Sequence, residues 1–143
     1  MNYLLDTNVI SEWVKPQPSI DVVRWLVETD EDRLFLSVIS IAEIRKGIEL
    51  MSRGERQNRL SDWLTNDLSL RFAGRILDVN ERVANHWSVT MAKSQKLGIT
   101  MNSMDALLAA TAFVNTMTLV TRNADDFLHL QSALINPWQS GLS

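Results

Sequence analysis

Cysteine is absent from this 143-residue chain, which excludes disulfide scaffolds, thiolate zinc sites, iron–sulfur clusters and thiol nucleophiles. Histidine occurs only twice, at His86 and His129, too few for a histidine-rich metal site. Five glycines and three prolines mean short loops and compact elements. The longest apolar-rich stretch, Leu34–Ala42, contains two serines and falls far short of the ~20 residues that span a bilayer. Met1–Leu5 runs straight into Asp6, without the charged and apolar regions of a signal peptide. A soluble cytoplasmic protein with no membrane role is therefore expected. The net charge of −3 excludes a bulk basic coat for nucleic acid, though not a local basic face.

What is present is an ordinary core-forming composition, with 45% apolar residues. The length suits one domain, 1–138, with a C-terminal tail 139–143 after Asn136-Pro137. Tyr3-Leu4-Leu5, Leu34–Val38 and Thr118–Thr121 read as short strands buried on both faces, and Ile76–Val79 as a fourth. Helical spacing of apolar residues marks Ile20–Glu28, Ile41–Met51, Leu60–Leu68, Glu81–Leu97 and Met104–Thr116. Strands alternating with helices indicate an α/β fold with a mostly parallel sheet. Ligands of such sheets bind at the carboxyl ends of the strands, so acids placed there matter most.

Acids stand at four such places, and each has a purely structural explanation. Asp6 follows the first strand and suits a helix cap. Glu43 lies three residues after Ser40, the spacing of a capping box in a first helical turn. Asp105 opens a helix, where the macrodipole favours an acid by roughly 0.3–1 kcal/mol. Asp125 and Asp126 follow Thr121-Arg122-Asn123 in a turn-like stretch. Taken jointly they converge on one sheet edge. Two carboxylates ~5 Å apart repel by about 3 kcal/mol at an effective dielectric of ~20. A cluster of them calls for a hard divalent cation, Mg²⁺ or Mn²⁺, which activates water and binds phosphate oxygens. That is the equipment of a phosphodiester hydrolase.

Four segments in this order resemble the motifs of PIN-domain ribonucleases, and most of all the VapC-type (FitB-like) toxins of bacterial toxin–antitoxin pairs. They are Leu4–Glu12, Ser40–Gly47, Asp105–Ala112 and Thr121–Phe127. The resemblance runs to Ile135–Trp138. It implies a three-layer α/β/α sandwich and a Mg²⁺- or Mn²⁺-dependent endoribonuclease. It also implies neutralisation by a VapB-type antitoxin, homodimers and toxin–antitoxin hetero-oligomers, and contact with DNA only through the antitoxin. The family roles fall on Asp6, Glu43 and Asp105. At the fourth position many relatives carry an acid where this chain has Asn123. Asp126 is the expected fourth acid with Asn123 hydrogen-bonding nearby, and Asp125 the solvated alternative. Thr7, Asn8 and Thr121 are expected to orient the metal-binding carboxylates.

RNA reaching an acidic site needs cations. Residues 45–59 supply Arg45, Lys46, Arg53, Arg56 and Arg59 against Glu49 and Glu55. Arg71, Arg75, Lys93 and Lys96 are candidates to extend that rim. The five tryptophans (13, 25, 63, 87, 138) read mainly as core. Trp13–Trp25 and Leu60–Leu68 are the expected walls of a groove for an antitoxin segment, whose arginine would enter the acid cluster. The competing classes fit less well. A phosphoacceptor signalling domain needs a lysine after a late strand, yet Lys96 is the last lysine. A haloacid-type phosphatase needs a second Asp where Asn8 stands. An inactive binding module has no need to retain the acids.

Overall fold

The computed structural model describes residues 1–130 and 133–142. β1 (Tyr3–Leu5) is followed by the single turn α1 (Thr7–Ile10) and by α2 (Ile20–Glu28). β2 (Leu34–Ser37) leads without a loop into α3 (Val38–Glu49). α4 (Glu55–Asp62) continues through a π-helical stretch, Trp63–Leu68, into the last turn α5 (Ser69–Arg71). Then come β3 (Ile76–Leu77), α6 (Glu81–Lys96), α7 (Ser103–Val114), β4 (Thr118–Val120) and β5 (Leu134–Ile135).

The strands form one sheet in the order β3-β2-β1-β4-β5, and every neighbouring pair is parallel. β1 is central, with Leu4 opposite Phe35 of β2 and Leu119 of β4, and Leu5 opposite Val120. The strand order reverses beside β1. At such a switch point the flanking connections diverge to opposite faces and leave a crevice at the carboxyl ends.

Alternate residues of β1 feed two cores, as the period of two requires. Leu5 joins Val9, Ile10, Val22, Leu26, Leu36 and Leu64 on one face. Leu4 joins Leu108, Ala109, Ala112, Leu119 and Phe127 on the other. The alanines let α7 lie close to the sheet, and all of them are buried. This is the expected three-layer sandwich, fully rather than mostly parallel.

Several boundaries differ from the sequence reading. α3 begins at Val38 rather than Ile41, because Ser37 caps it: the Ile39 N–H donates to Ser37 Oγ at 3.0 Å. Ser40 is instead buried as the third residue of the helix, so the expected Ser40–Glu43 capping box is not formed and Glu43 lies in the second turn. The expected helix Leu60–Leu68 is the middle of a longer one whose π turn places Leu64 and Leu68 in the core together. β5 escaped notice because two residues carry no period. Asn136 begins a closing segment in which Pro137–Leu142 forms a 3-10 helix packed against α2. Residues 139–142 of the expected tail belong to that helix, and Ser143 lies outside the described residues.

Candidate active site

The site forms where β1 and β4 end. The Asp6 N–H donates to Val120 O at 2.9 Å, which carries the sheet ladder one residue past β1. The Asp6 side chain is only 6% exposed. Its Oδ1 accepts from the Thr7 N–H at 2.7 Å and so caps α1, as the structural reading foresaw. Its Oδ2 accepts from Thr121 Oγ1 at 2.7 Å and from Asn8 Nδ2 at 3.4 Å. Burial raises the Asp6 pKa, the three hydrogen bonds oppose the rise, and the charge of Glu43 adds to it.

Glu43 reaches the same edge from α3. Its Oε1 accepts from Thr7 Oγ1 at 2.7 Å, so Thr7 holds Asp6 with its backbone and Glu43 with its hydroxyl. Asp105 arrives from α7. Asn102 caps that helix, its Oδ1 accepting from the N–H groups of Met104 (2.9 Å) and Asp105 (3.0 Å). The half-buried Asp105 carboxyl is pushed up to about 6, first by burial and then by the charges of Asp6, Glu43 and Asp126.

Asp126 is exposed on a 3-10 turn, Ala124–Phe127, anchored by the fully buried Phe127. The turn is closed by the Asp126 N–H, which donates to Asn123 O at 2.9 Å. The Asn123 N–H in turn donates to Thr121 Oγ1 at 3.1 Å. Thr121 thus links Asp6 to the turn that carries Asp126. Asp125 is exposed on the same turn and is not among the charges that act on Asp105.

The structure therefore brings Asp6, Glu43, Asp105 and Asp126 into one electrostatic field. Among the described residues, none of the four has a Lys, Arg or His within ion-pair distance. Their oxygens are hard donors suited to Mg²⁺ or Mn²⁺. Among the described residues no three acidic or imidazole groups close on one point as a ready-made cage.

The cations divide. Arg45 is spent on Ser61 Oγ (3.0 Å) and Thr65 Oγ1 (2.8 Å). Arg71 and Arg75 do not belong to the rim. Arg71 pairs with Glu31 at 2.6 Å, and Arg75 donates to the carbonyls of Glu31, Leu34 and Arg71. Both serve the amino ends of β2 and β3, the edge opposite the acids, and charge alone could not reveal which edge. Lys46, Arg53, Arg56 and Arg59 stay exposed.

A cleft of about 220 Å³ runs from Thr7 and Glu43 past Ile44 to Leu60 and Trp63. It adjoins a second of about 410 Å³, where Arg56, Arg59 and Pro16 surround the same Leu60 and Trp63. Trp25 stands apart from both, in edge contact with Tyr3 at 5.2 Å between ring centroids. Val14 and Pro16 from the expected Trp13–Trp25 wall and Leu60 and Trp63 from the expected Leu60–Leu68 wall line these clefts, which α3 and α4 extend through Glu43, Ile44, Arg56 and Arg59.

The chain is similar to known proteins over most of its length. The PIN domain family model matches residues 3–132. Toxin FitB of Neisseria gonorrhoeae is 38% identical over 94% of this chain and 97% of its own. VapC ribonuclease Y4jK of Sinorhizobium fredii is 32% identical over 95% and 97%. The structure of FitAB bound to an IR36 DNA fragment superposes with a TM-score of 0.88 at 38% identity, covering 95% of each chain.

Proposed function

The chain belongs to the PIN-domain family, and on that footing we propose that it is a Mg²⁺- or Mn²⁺-dependent endoribonuclease, the toxin of a toxin–antitoxin pair. One observation carries the reading: Thr7 and Thr121 hold the Asp6 and Glu43 carboxylates together at the carboxyl ends of β1 and β4, where the charges of Asp6, Glu43 and Asp126 all bear on Asp105. A nearby cation relieves the repulsion in such a cluster at neutral pH.

Asp6, Glu43, Asp105 and Asp126 would hold the ion, directly or through water. Bound there, it would supply a more acidic water and neutralise charge on a phosphate. The chain's own residues set the geometry. Thr121 and Thr7 fix both oxygens of Asp6, Thr7 also fixes Glu43, and Asn102 fixes the turn bearing Asp105. Such fixed ligands spare reorganisation during reaction.

The partner is a VapB-type antitoxin that silences the toxin. Its segment lies in the groove between Glu43 and Arg56, with apolar residues on Leu60 and Trp63 and an arginine facing Glu43. The toxin forms homodimers and toxin–antitoxin hetero-oligomers in the cytoplasm and meets DNA only through the antitoxin.

The test is cleavage of single-stranded RNA by purified protein. Mg²⁺ or Mn²⁺ should support it and a chelator should abolish it. Asp6→Asn and Asp105→Asn should lose at least about 100-fold in rate with thermal melting intact. Cleavage at the parent rate by Asp6→Asn, or in excess chelator, would overturn the reading.

A further inference from the structure

We propose that Arg122 is a phosphate-binding residue for the RNA strand, its backbone tied to the residues that hold Asp6 and its guanidinium set over the Trp138 ring. The proposal rests on the nuclease reading above. Arg122 follows Thr121, the residue that donates to Asp6, so its backbone is fixed relative to the acids. Its N–H donates to Asn8 Oδ1 at 3.3 Å, and its carbonyl accepts from Asn136 Nδ2 at 3.1 Å. Asn136 Oδ1 accepts from the Trp138 N–H at 3.0 Å, which positions the indole. The Arg122 guanidinium carbon lies 5.3 Å from the centroid of that ring.

Stacking engages the face of a guanidinium and leaves its in-plane N–H fork free. That fork finds no acceptor and no carboxylate within ion-pair distance among the described residues. Arg122 does act on Glu12 at longer range, but Glu12 is already occupied by Lys15 at 2.5 Å and by the Ser19 N–H at 2.9 Å. Arg45, Arg71 and Arg75, by contrast, have their donors engaged. A guanidinium with no acceptor, on a backbone bonded to Asn8 and next to the Thr121 that holds Asp6, offers a polyanion a cationic contact on the segment that leads to the acids. Its planar geometry matches two phosphate oxygens.

The experiment compares parent, Arg122→Ala, Arg122→Lys and Trp138→Phe. Binding of a fluorescent single-stranded RNA is measured in chelator across a range of salt concentrations, and steady-state cleavage with Mg²⁺. For Arg122→Ala the expected results are roughly five- to tenfold weaker binding and a salt slope lower by about 0.7, one contact on a single strand. KM should rise by the same factor, with kcat within twofold and melting near the parent's. Arg122→Lys should keep the salt slope while losing part of the affinity. Trp138→Phe, which keeps a ring under the guanidinium, should lie close to the parent. An Arg122→Ala variant with the parent's slope and KM overturns the proposal and leaves the nuclease reading standing. So does a variant that loses only a protein partner. A parent that neither binds nor cleaves RNA overturns both.

Discussion

Thr121 Oγ1 donates to Asp6 Oδ2 at 2.7 Å across 115 residues of chain. The same oxygen accepts from the Asn123 N–H, so one hydroxyl ties the end of β1 to the turn after β4. Thr121→Val keeps the shape and removes both bonds. It should lower cleavage about 10–100-fold and stability by about 1–3 kcal/mol, because Asp6 stays buried with one donor fewer. Thr121→Ser should restore most of both. Initial rates and chemical denaturation check this.

Asp105 makes a pH-dependent contribution of definite sign. Its folded pKa, about 6, lies above the usual 3.8. Its favourable contribution is thus complete below about 4 and lost as pH rises through about 6. In chelator at pH 8, Asp105→Asn should be more stable than the parent by about 1–3 kcal/mol, with solvent screening favouring the lower figure. The gap should close as pH falls below about 4. Denaturation of both proteins at several pH values measures it.

Glu12 has the opposite sign. Its carboxylate is 2% exposed and its pKa is lowered below the usual 4.5. Burial by itself would raise that value, but the bonds from Lys15 and the Ser19 N–H outweigh it. The stabilisation is present above pH 4.5 and lost as pH falls through the lowered folded value. Glu12→Gln should therefore cost about 1.5–3 kcal/mol at pH 7 and progressively less below pH 4.5. Melting curves at neutral and acid pH decide it.

Thr116 turns the chain from α7 into β4 at φ 56°, a left-handed conformation that burdens a β-branched residue. Thr116→Gly should raise stability by about 0.5–1 kcal/mol without altering cleavage, since the turn lies on the edge opposite the acids. A lower melting temperature would contradict this account.

The sheet was legible because β1, β2 and β4 are short apolar runs that end at polar residues. Asp6, Asp105 and Asp126 were legible because each stands near an element end, whereas Glu43 was found through a capping-box spacing that the helix does not use. The helix start at Val38 was not, because β2 meets α3 without a loop and both Ser37 and Ser40 offer a cap. Ser40 turned out to face the core. The π turn at Trp63–Leu68 has no signature in residue type. Arg71 and Arg75 looked like rim cations until the fold placed them beside Glu31 and the amino ends of the strands. The walls around Pro16 and Trp63 fell within the expected stretches, but the part that Glu43, Ile44 and Met51 of α3 and the turn after it play needed the fold.

Because β1 pairs with β4, a nascent polypeptide cannot complete its central ladder until Thr118–Val120 has left the ribosome. Asp6 waits on Thr121 for the same reason. A cell making this protein would thus meet no working enzyme during translation. Aborted products that stop short of residue 118 would be inert toward RNA, however well their helices form.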